Sequence, residues 1–483
     1  MVFSSLIFLY AFFPFSLLAY FLCKTQKAKN ASLLIFSLIF YAWGEPKYVF
    51  LLMFMALVSW FCAKKVAKCQ SDTPSDPHAG RLFVVIAAVV DILLIGFFKY
   101  AGMFASLFGE IPDFIRNIAL PIGISFYTFQ LLTYVADVYR KDAPAQKSYW
   151  NVLLYAALFH QCIAGPIVRY GSIAGELFDD SNRKPDAASG VRRFSVGLAK
   201  KALVANACGS LADKLLPVSG FAAAGATALG TWTGLIAYSL QIYLDFSAYS
   251  DMAIGMGRML GLTYPENFNY PYIARSVTDF WRRWHISLST FFRDYVYIPL
   301  GGSRCRIPRM VLNTLIVWLL TGLWHGAGWN FVCWGLWFFI FLMLERAFLK
   351  KWLDKLPVLS NLYLLFVVIL GWVIFRFESM ADILAVLSCL FGGAGQGSWD
   401  FPALTSLKNN MFLLAFSIFI CLPILRDLYR FIDRKIHASS ERHPLWGRIW
   451  NLTVSGLLPA VLLILSTAAL VGDSYNPFLY FQF

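Results

Sequence analysis

Long apolar runs separated by short polar clusters repeat along almost the whole chain, and their spacing predicts helices that cross a bilayer. The first runs from about Val2 to Leu22 and is followed by Lys24, Lys27 and Lys29. An apolar hairpin, Ala31 to Trp43 and Tyr48 to Ala63, turns at Gly44-Glu45-Pro46 and closes on Lys64, Lys65 and Lys68. Lysines at both ends of that hairpin place them on the cytoplasmic side, which puts the N-terminus outside. Gln70 to Gly80 reads as a surface loop, and spans are expected from Leu82 to Phe98 and from Leu120 to Val138.

The run between Tyr149 and Arg169 is apolar yet holds His160, Gly165 and Pro166, which break a helix; a re-entrant segment fits it. His160 then reads as a hydrogen-bonding tie for that segment in preference to a residue of an entry path. A short apolar helix, Ala202 to Leu216, and an Ala/Gly-rich loop, Gly220 to Gly230, lead into a long run from Thr231 to Leu262. Within it Asp245, Ser247, Tyr249, Ser250 and Asp251 recur at helical spacing, so this helix presents a polar stripe to the protein interior. Gly255, Gly257 and Gly261 permit close approach of a neighbour. Further spans are expected at Trp329 to Leu349, Leu362 to Phe375, Met411 to Leu428 and Leu452 to Leu470, with a shorter, re-entrant candidate at Ala381 to Phe391. The sum is an all-α integral membrane protein, a multi-span bundle of roughly ten to twelve membrane segments forming one domain over residues 1–483.

Composition agrees with the pattern. A chain of 483 residues that is 59% hydrophobic and 14% charged cannot hide its apolar side chains within a water-soluble globule. Its net charge of +14 lies in short clusters between apolar runs, as in cytoplasmic loops, and no basic soluble domain exists to bind nucleic acid. One such cluster, Arg183, Lys184, Arg192, Arg193, Lys200 and Lys201, reads as a cytoplasmic patch that fixes topology in preference to one that binds an anionic donor. The nine cysteines are scattered without a CxxC pair, which indicates neither a disulfide framework nor a metal site. The N-terminal run lacks a positive leader and reads as a retained span.

The stretch from Asp279 to Asn330 carries the candidate chemistry. It holds two of the six histidines and five of the sixteen tryptophans, Trp281, Trp284, Trp318, Trp324 and Trp329, with Arg282, Arg283, Arg293, Arg304, Arg306 and Arg309 against only Asp279 and Asp294. Ionisable groups placed among lipid-soluble runs are functional candidates by default. His325 follows an apolar run and precedes Gly326-Ala327-Gly328, small residues expected to leave the imidazole uncovered; a neutral histidine can take a proton from a hydroxyl. His285 lies in FWRRWHIS, where rings can stack on guanidinium groups. An interfacial aromatic and basic belt accounts for the Arg and Trp residues but not for two histidines. Asp245 and Asp251 can each orient a histidine, and spacing does not choose between them. His78, His437 and His443 sit in polar loops and take no role. No phosphate loop, nucleophile elbow or zinc motif occurs.

At these residues the sequence resembles the membrane-bound O-acyltransferase superfamily, in its bacterial branch of alginate-type polysaccharide O-acetyltransferases. The resemblance rests on QIYLDFSAYSDMAIG (Gln241 to Gly255), NFNYPYIARSVTDFWRRWHISLSTFFRDYVYIPLGGSR (Asn267 to Arg304), TGLWHGAGWNFVCWG (Thr321 to Gly335), AGPIVRY (Ala164 to Tyr170) and the terminal NPFLYFQF (Asn476 to Phe483). Two positions depart from the family pattern: Ala248 where Gly is usual, and His160 where Pro is common.

The resemblance implies His325 as the catalytic histidine and His285 as the second active-site polar residue. Trp281, Arg282, Trp284, Trp324, Asn330, Asp245 and Asp251 are expected to line the substrate path. It also implies a tunnel through the bundle in the cell membrane, where a cytoplasmic acyl donor, most simply acetyl-CoA as co-substrate with no bound cofactor or metal, meets an acceptor from the other face. An extracytoplasmic acetyltransferase partner and a polysaccharide acceptor complete that expectation. Two alternatives stand beside it: D-alanyl transfer to teichoic acids on the same fold, against which IPLGGSR (Ile298 to Arg304) weighs moderately, and a transporter or flippase whose histidines relay protons.

Overall fold

The computed structural model describes every residue except 77, 110, 164, 222–224, 394–396, 441–443, 473–474 and 478–483. Ala164 of AGPIVRY, His443 and residues 478–483 of the terminal motif therefore lie outside the described residues. Among those described, every regular element is a helix. The principal ones, in chain order, are α1 (Gln26–Gly44), α2 (Val49–Asp72), α3 (Arg81–Ala105), α4 (Ile124–Arg140), α5 (Ala228–Met259), α6 (Ile307–His325), α7 (Trp329–Leu353), α8 (Pro357–Arg376) and α9 (Pro444–Gly472). The protein is an all-α multi-span membrane protein.

Six helices among the described residues, α2, α3, α6, α7, α8 and α9, are long and apolar enough to cross a bilayer, and the pair Phe401–Asn409 and Met411–Ile420, bent by 52°, raises that to seven. The other expected segments form helices that are shorter, broken or more polar. The first is a helix over Phe8–Leu22, and Leu120 to Val138 becomes the 17-residue α4. The run from Tyr149 stops as a helix at Ala157 and resumes at Tyr170. Helix α5 has 32 residues, but its polar stripe takes it out of the apolar class.

The chain divides into two compact units, Met1–Phe194 with Met252–Pro265, and Ser195–Asp251 with Glu266–Phe483. The first holds α1 to α4 and an aromatic cluster in which Phe8, Phe12, Phe40 and Phe159 meet within 6.3 Å of one another. Its broken segment is tied down from within. Gln161 Nε2 donates to the Tyr155 carbonyl at 2.7 Å, the Tyr155 hydroxyl donates to the Val168 carbonyl at 2.8 Å, and the buried His160 Nδ1 bonds the Tyr264 hydroxyl. Side chains thus satisfy part of the backbone that the break frees, which is the condition for irregular chain at membrane depth. Within the same unit Gly255 lies where a Cβ would meet the Gly190 carbonyl and the Phe194 amide, the close approach its sequence suggested.

Arg183 is no free surface cation. It is 7% exposed and donates to the Tyr20 hydroxyl, Asn30 Oδ1 and the Leu177 carbonyl at 2.7–3.1 Å.

The second unit is organised by the remainder of α5 and by α6, α7 and α8. A loop of only three residues joins α6 to α7, and the two helices close on each other because Gly322 and Gly335 carry no side chain: a Cβ on either would run into a carbonyl oxygen of the other helix, Phe331 and Trp318 respectively. Trp334, Phe338, Val367, Val368 and Trp372 fill the interior behind them, each 1% exposed or less.

Candidate active site

Two short helices, Val277–Trp281 and Ile286–Phe292, flank the turn Arg282 to His285 of FWRRWH in the second unit. The first is capped twice over. Ser276 Oγ accepts from the Asp279 amide at 3.0 Å, and the buried Glu345 carboxylate of α7 accepts from the Val277 and Thr278 amides at 2.5 and 3.1 Å and from the Thr278 hydroxyl at 2.9 Å. A carboxylate on exposed helix-terminal amides satisfies donors that have no partner within so short a helix. Glu345 reads from sequence only as the end of a span; here it fixes the start of the functional segment.

His285 forms the joint between the two helices, with φ +43°, a left-handed backbone unusual for any residue but glycine. Such a conformation persists where surrounding contacts over-determine it. Asn267 supplies them: its carbonyl accepts the Ile286 amide at 3.0 Å, and its Oδ1 accepts the Ser287 amide at 3.2 Å and the Ser287 hydroxyl at 2.8 Å, with His285 Nδ1 at 3.3 Å. Asn267 Nδ2 in turn donates to Ser250 Oγ of α5 at 3.2 Å. Because a backbone amide donates to that Oδ1, the oxygen is an acceptor and His285 Nδ1 must be the ring's N–H. The proton-free nitrogen is Nε2, which is buried with no hydrogen-bond partner among the described residues. His285 belongs to none of the spanning helices, and burial lowers its pKa to about 3, keeping the ring neutral. Nothing in the spacing pointed to Asn267; its signal is NFNYPY, the motif preceding the arginines.

His325 ends α6 and is 8% exposed. Trp324, 2% exposed, links the two histidines: its ring centroid lies 5.5 Å from that of His285 and 5.0 Å from that of His325, edge to face with both. Trp334 and Phe375 close on His325 at 5.0 and 5.2 Å, and Phe246 closes on His285 at 4.7 Å. Asn330 Nδ2 reaches the Ile374 and Phe375 carbonyls at 3.5 Å and ties α7 to the end of α8 beside His325. The small residues after His325 act differently from the sequence expectation. A Cβ at Gly326 would overlap the Phe331 ring, so the missing side chain admits an aromatic neighbour instead of leaving the imidazole bare.

Trp281 and Trp284 are buried, the first against Trp318 at 4.8 Å and the second against Trp372 at 5.0 Å, whereas Arg282 is exposed. Asp245 and Asp251 take lysine partners: Lys201 Nζ lies 2.9 Å from Asp245 Oδ1, and Lys200 pairs with Asp251. The partner that fixes the His285 tautomer is an amide, and two cations of the expected cytoplasmic patch, the buried Lys201 and the half-buried Lys200, pair with the stripe on α5. No group of three or more His, Cys, Asp and Glu side chains able to hold a metal occurs among the described residues. The arrangement offers two imidazoles in an aromatic enclosure, that of His285 held neutral, suited to proton transfer and to a reaction from which water is kept away.

Comparison with known proteins is decisive for the family. Residues 39–385 match the profile of the membrane-bound O-acyltransferase family. The chain belongs to that family. It is a multi-pass protein of the cell membrane and an enzyme, a membrane O-acyltransferase. It is 35% identical to a probable alginate O-acetylase of Pseudomonas putida over the full length of both chains, and 32% identical to a peptidoglycan O-acetyltransferase of Helicobacter pylori over all of this chain and 98% of that one. A teichoic acid D-alanyltransferase of Bacillus subtilis is 30% identical over 50% of this chain and 62% of its own.

Proposed function

We propose that this acyltransferase moves an acetyl group from a cytoplasmic thioester, acetyl-CoA, to an acceptor hydroxyl reached from the other face of the membrane, for O-acetylation of an extracytoplasmic polysaccharide, with His325 as general base and His285 as its neutral partner. The acceptor O–H gives its proton to His325 as the oxygen attacks the thioester carbonyl. The tetrahedral intermediate collapses with cleavage of the C–S bond, and the imidazolium returns the proton to the departing thiolate, so no proton is gained or lost. His285 Nε2 accepts a hydrogen bond without taking a proton and orients the acceptor; a ring held neutral to about pH 3 is too weak a base for the transfer itself. Trp281, Trp284 and Trp324 are aromatic walls of this path and Asn330 holds the α8 end against it.

The observation that carries the reading is the pair of buried imidazoles on the Trp324 ring, in a chain matched along its whole length by relatives named for O-acetyl transfer. Those two relatives favour acetyl over D-alanyl transfer, since the D-alanyl relative aligns with half of the chain. Exposed Arg304, Arg306 and Arg309 stand at the far end of α6, about 27 Å from His325 at 1.5 Å per residue. They steer an anionic donor toward the membrane, while Arg282, three residues from His285, is placed to meet its phosphates. An extracytoplasmic acetyltransferase completes delivery to the polymer, and a tunnel joins the two faces.

The test is transfer of labelled acetyl from acetyl-CoA by the purified protein in nanodiscs, supplied with a soluble oligosaccharide. Wild-type protein is expected to consume the donor and His325→Ala to fail with unchanged yield and elution. Transfer retained by that variant, or uptake of the oligosaccharide without thioester cleavage, overturns the assignment.

A further inference from the structure

Helix α8 ends on Phe375 and Arg376, and the two side chains go to different neighbours. The Phe375 ring closes on His325, with centroids 5.2 Å apart. The buried Arg376 reaches the C-terminal end of the helix Asn206–Leu215. Its Nε and Nη2 donate to the Leu216 carbonyl at 3.2 and 2.8 Å, Nη2 donates also to Asp213 Oδ1 at 2.7 Å, and the guanidinium carbon stands 4.5 Å from the centre of the Tyr238 ring of α5. A guanidinium suits that place, because carbonyls at a helix end lack partners within the helix and carry partial negative charge, and its fork serves a carbonyl and a carboxylate at once. From the α7 side Asn330 holds the same turn of α8 through the Ile374 and Phe375 carbonyls. The turn that presents Phe375 to His325 is thus anchored twice.

The Arg376 anchor extends to the C-terminal segment. Asp213 Oδ2, the oxygen that Arg376 leaves free, accepts the Tyr475 hydroxyl. The next two residues are held on the same stretch of chain: Asn206 Nδ2 donates to Asn476 Oδ1 at 3.3 Å, and Lys201 Nζ donates to the Pro477 carbonyl. Gly209 lies between these contacts and is bare, since a Cβ there would run into the Gln241 amide and the Tyr475 hydroxyl. The Asp213 side chain is 44% exposed while that of Arg376 is 4% exposed, so water competes for the carboxylate and not for the guanidinium. Tyr475 takes the oxygen that would otherwise turn to water. All of these residues belong to the second unit.

We propose that Asp213, Arg376 and Tyr475 are positioning residues for His325. The C-terminal segment, seated on the helix Asn206–Leu215, keeps the Asp213 carboxylate on Arg376; Arg376 fixes the last turn of α8, and that turn sets Phe375 against the imidazole. The segment is a latch on the wall of the base and touches no reacting atom. Its effect on turnover rests on the acyl-transfer reading, whereas its hold on the His325 ring does not. Misplacement of a catalytic group by an ångström costs up to about 100-fold in rate, so release of the latch is expected to appear as slower turnover with donor binding kept.

A carbon–proton correlation spectrum of the histidine rings, taken on the full chain in detergent micelles, reads the ring position directly, because the Phe375 ring current shifts the His325 signal. That signal is identified by its loss in His325→Ala. Tyr475→Phe, which keeps the ring and removes the hydroxyl, is expected to move it, Asp213→Asn to move it as far, and the double variant no farther, because Tyr475 acts through Asp213. With acetyl-CoA and the soluble oligosaccharide, kcat should fall about tenfold in each variant while KM for acetyl-CoA changes less than about twofold, and Arg376→Lys should retain more turnover than Arg376→Leu. A His325 signal unmoved by Tyr475→Phe overturns the proposal, as do additive shifts in the double variant. So does a raised KM at unchanged kcat, which would make the segment part of the donor site. Wild-type protein that cleaves no thioester defeats the acyl-transfer reading alone, and the His325 signal then decides the latch by itself.

Discussion

The second unit buries two sets of polar side chains and stabilises them by opposite means. On α5, Asp245 and Asp251 are 2% and 7% exposed and each meets a lysine from the segment preceding that helix. Beside them His285 and His325 are as deeply buried but meet aromatic rings, and His285 is oriented by the amide of Asn267. A charge pair holds helices together and resists change, because removing one member strands the other in a low-dielectric interior. A ring set among aromatics adds less to the fold than a charge pair, and in His285 it leaves Nε2 for chemistry. The two sets should therefore separate under mutation, one into loss of the fold and the other into loss of the reaction.

The sharpest break of that contrast is His325→Ala. Removal of a general base costs about 10³-fold in turnover, while thermal unfolding in detergent should fall far less, since Trp334 and Phe375 keep packing on each other where the ring stood. Comparable losses of activity and stability would mean that His325 is a structural residue.

Asp245→Asn is expected to do the reverse. It leaves the 3%-exposed Lys201 charged and without its carboxylate, for a loss of about 3 kcal/mol in stability. Combining it with Lys201→Met removes the stranded charge and should restore much of the loss, with turnover per folded molecule little altered. Failure of the double variant to recover would locate the role of Asp245 outside the pair.

How far each set was legible in advance follows from the same contrast. The membrane class, the helical architecture and the polar face of α5 were all readable, because apolar period and charge placement act locally. His285 and His325 stood out because histidines and arginines in an apolar chain have no cheap structural use. The pairing of the stripe was not legible: Lys200 and Lys201 lie 44 residues or more from their carboxylates, and basic clusters read as loop charges until the fold turns them inward. Gly326 was misread for a similar reason, as its bareness serves Phe331, five residues on, and not the adjacent imidazole. Only some of the expected membrane segments appear as long apolar helices among the described residues, because α5 and the segment around His160 are too polar or too broken to pass as simple spans.

His285 sharpens the comparison, since it alone among these groups links reaction and pH. His285→Gln should lower turnover about 100-fold, less than His325→Ala, because an orienting contact is lost and the base remains. Above about pH 6.5 neither the folded nor the unfolded ring is protonated, whereas below it the unfolded ring takes a proton that the folded one, with its pKa at about 3, refuses. This ring then lowers stability by about 1.4 kcal/mol per pH unit on acidification, as does the equally buried His160, and His285→Gln should remove its own share of the slope between about pH 6 and 4. Urea titrations at two pH values measure it, and an unchanged slope would show that another group titrates there.

The smallest effect is expected where the two strategies meet, at Glu345. Its carboxylate is charged like the stripe, yet its partners are the Val277 and Thr278 amides at the start of the histidine-bearing segment. Glu345→Gln leaves one acceptor oxygen where two serve four donors, the Val277 and Thr278 amides and the Thr278 and Tyr363 hydroxyls, which costs about 1–2 kcal/mol, the range of a lost helix cap. The remaining cap at Ser276 keeps Val277–Trp281 helical, so the segment should loosen without unfolding. Turnover should drop a few-fold with donor affinity little changed, and a second substitution, Ser276→Ala, should deepen both losses by more than their sum, because the two caps act on one short helix. Strict additivity would mean that each cap anchors the chain independently, and that the position of His285 rests on Asn267 alone.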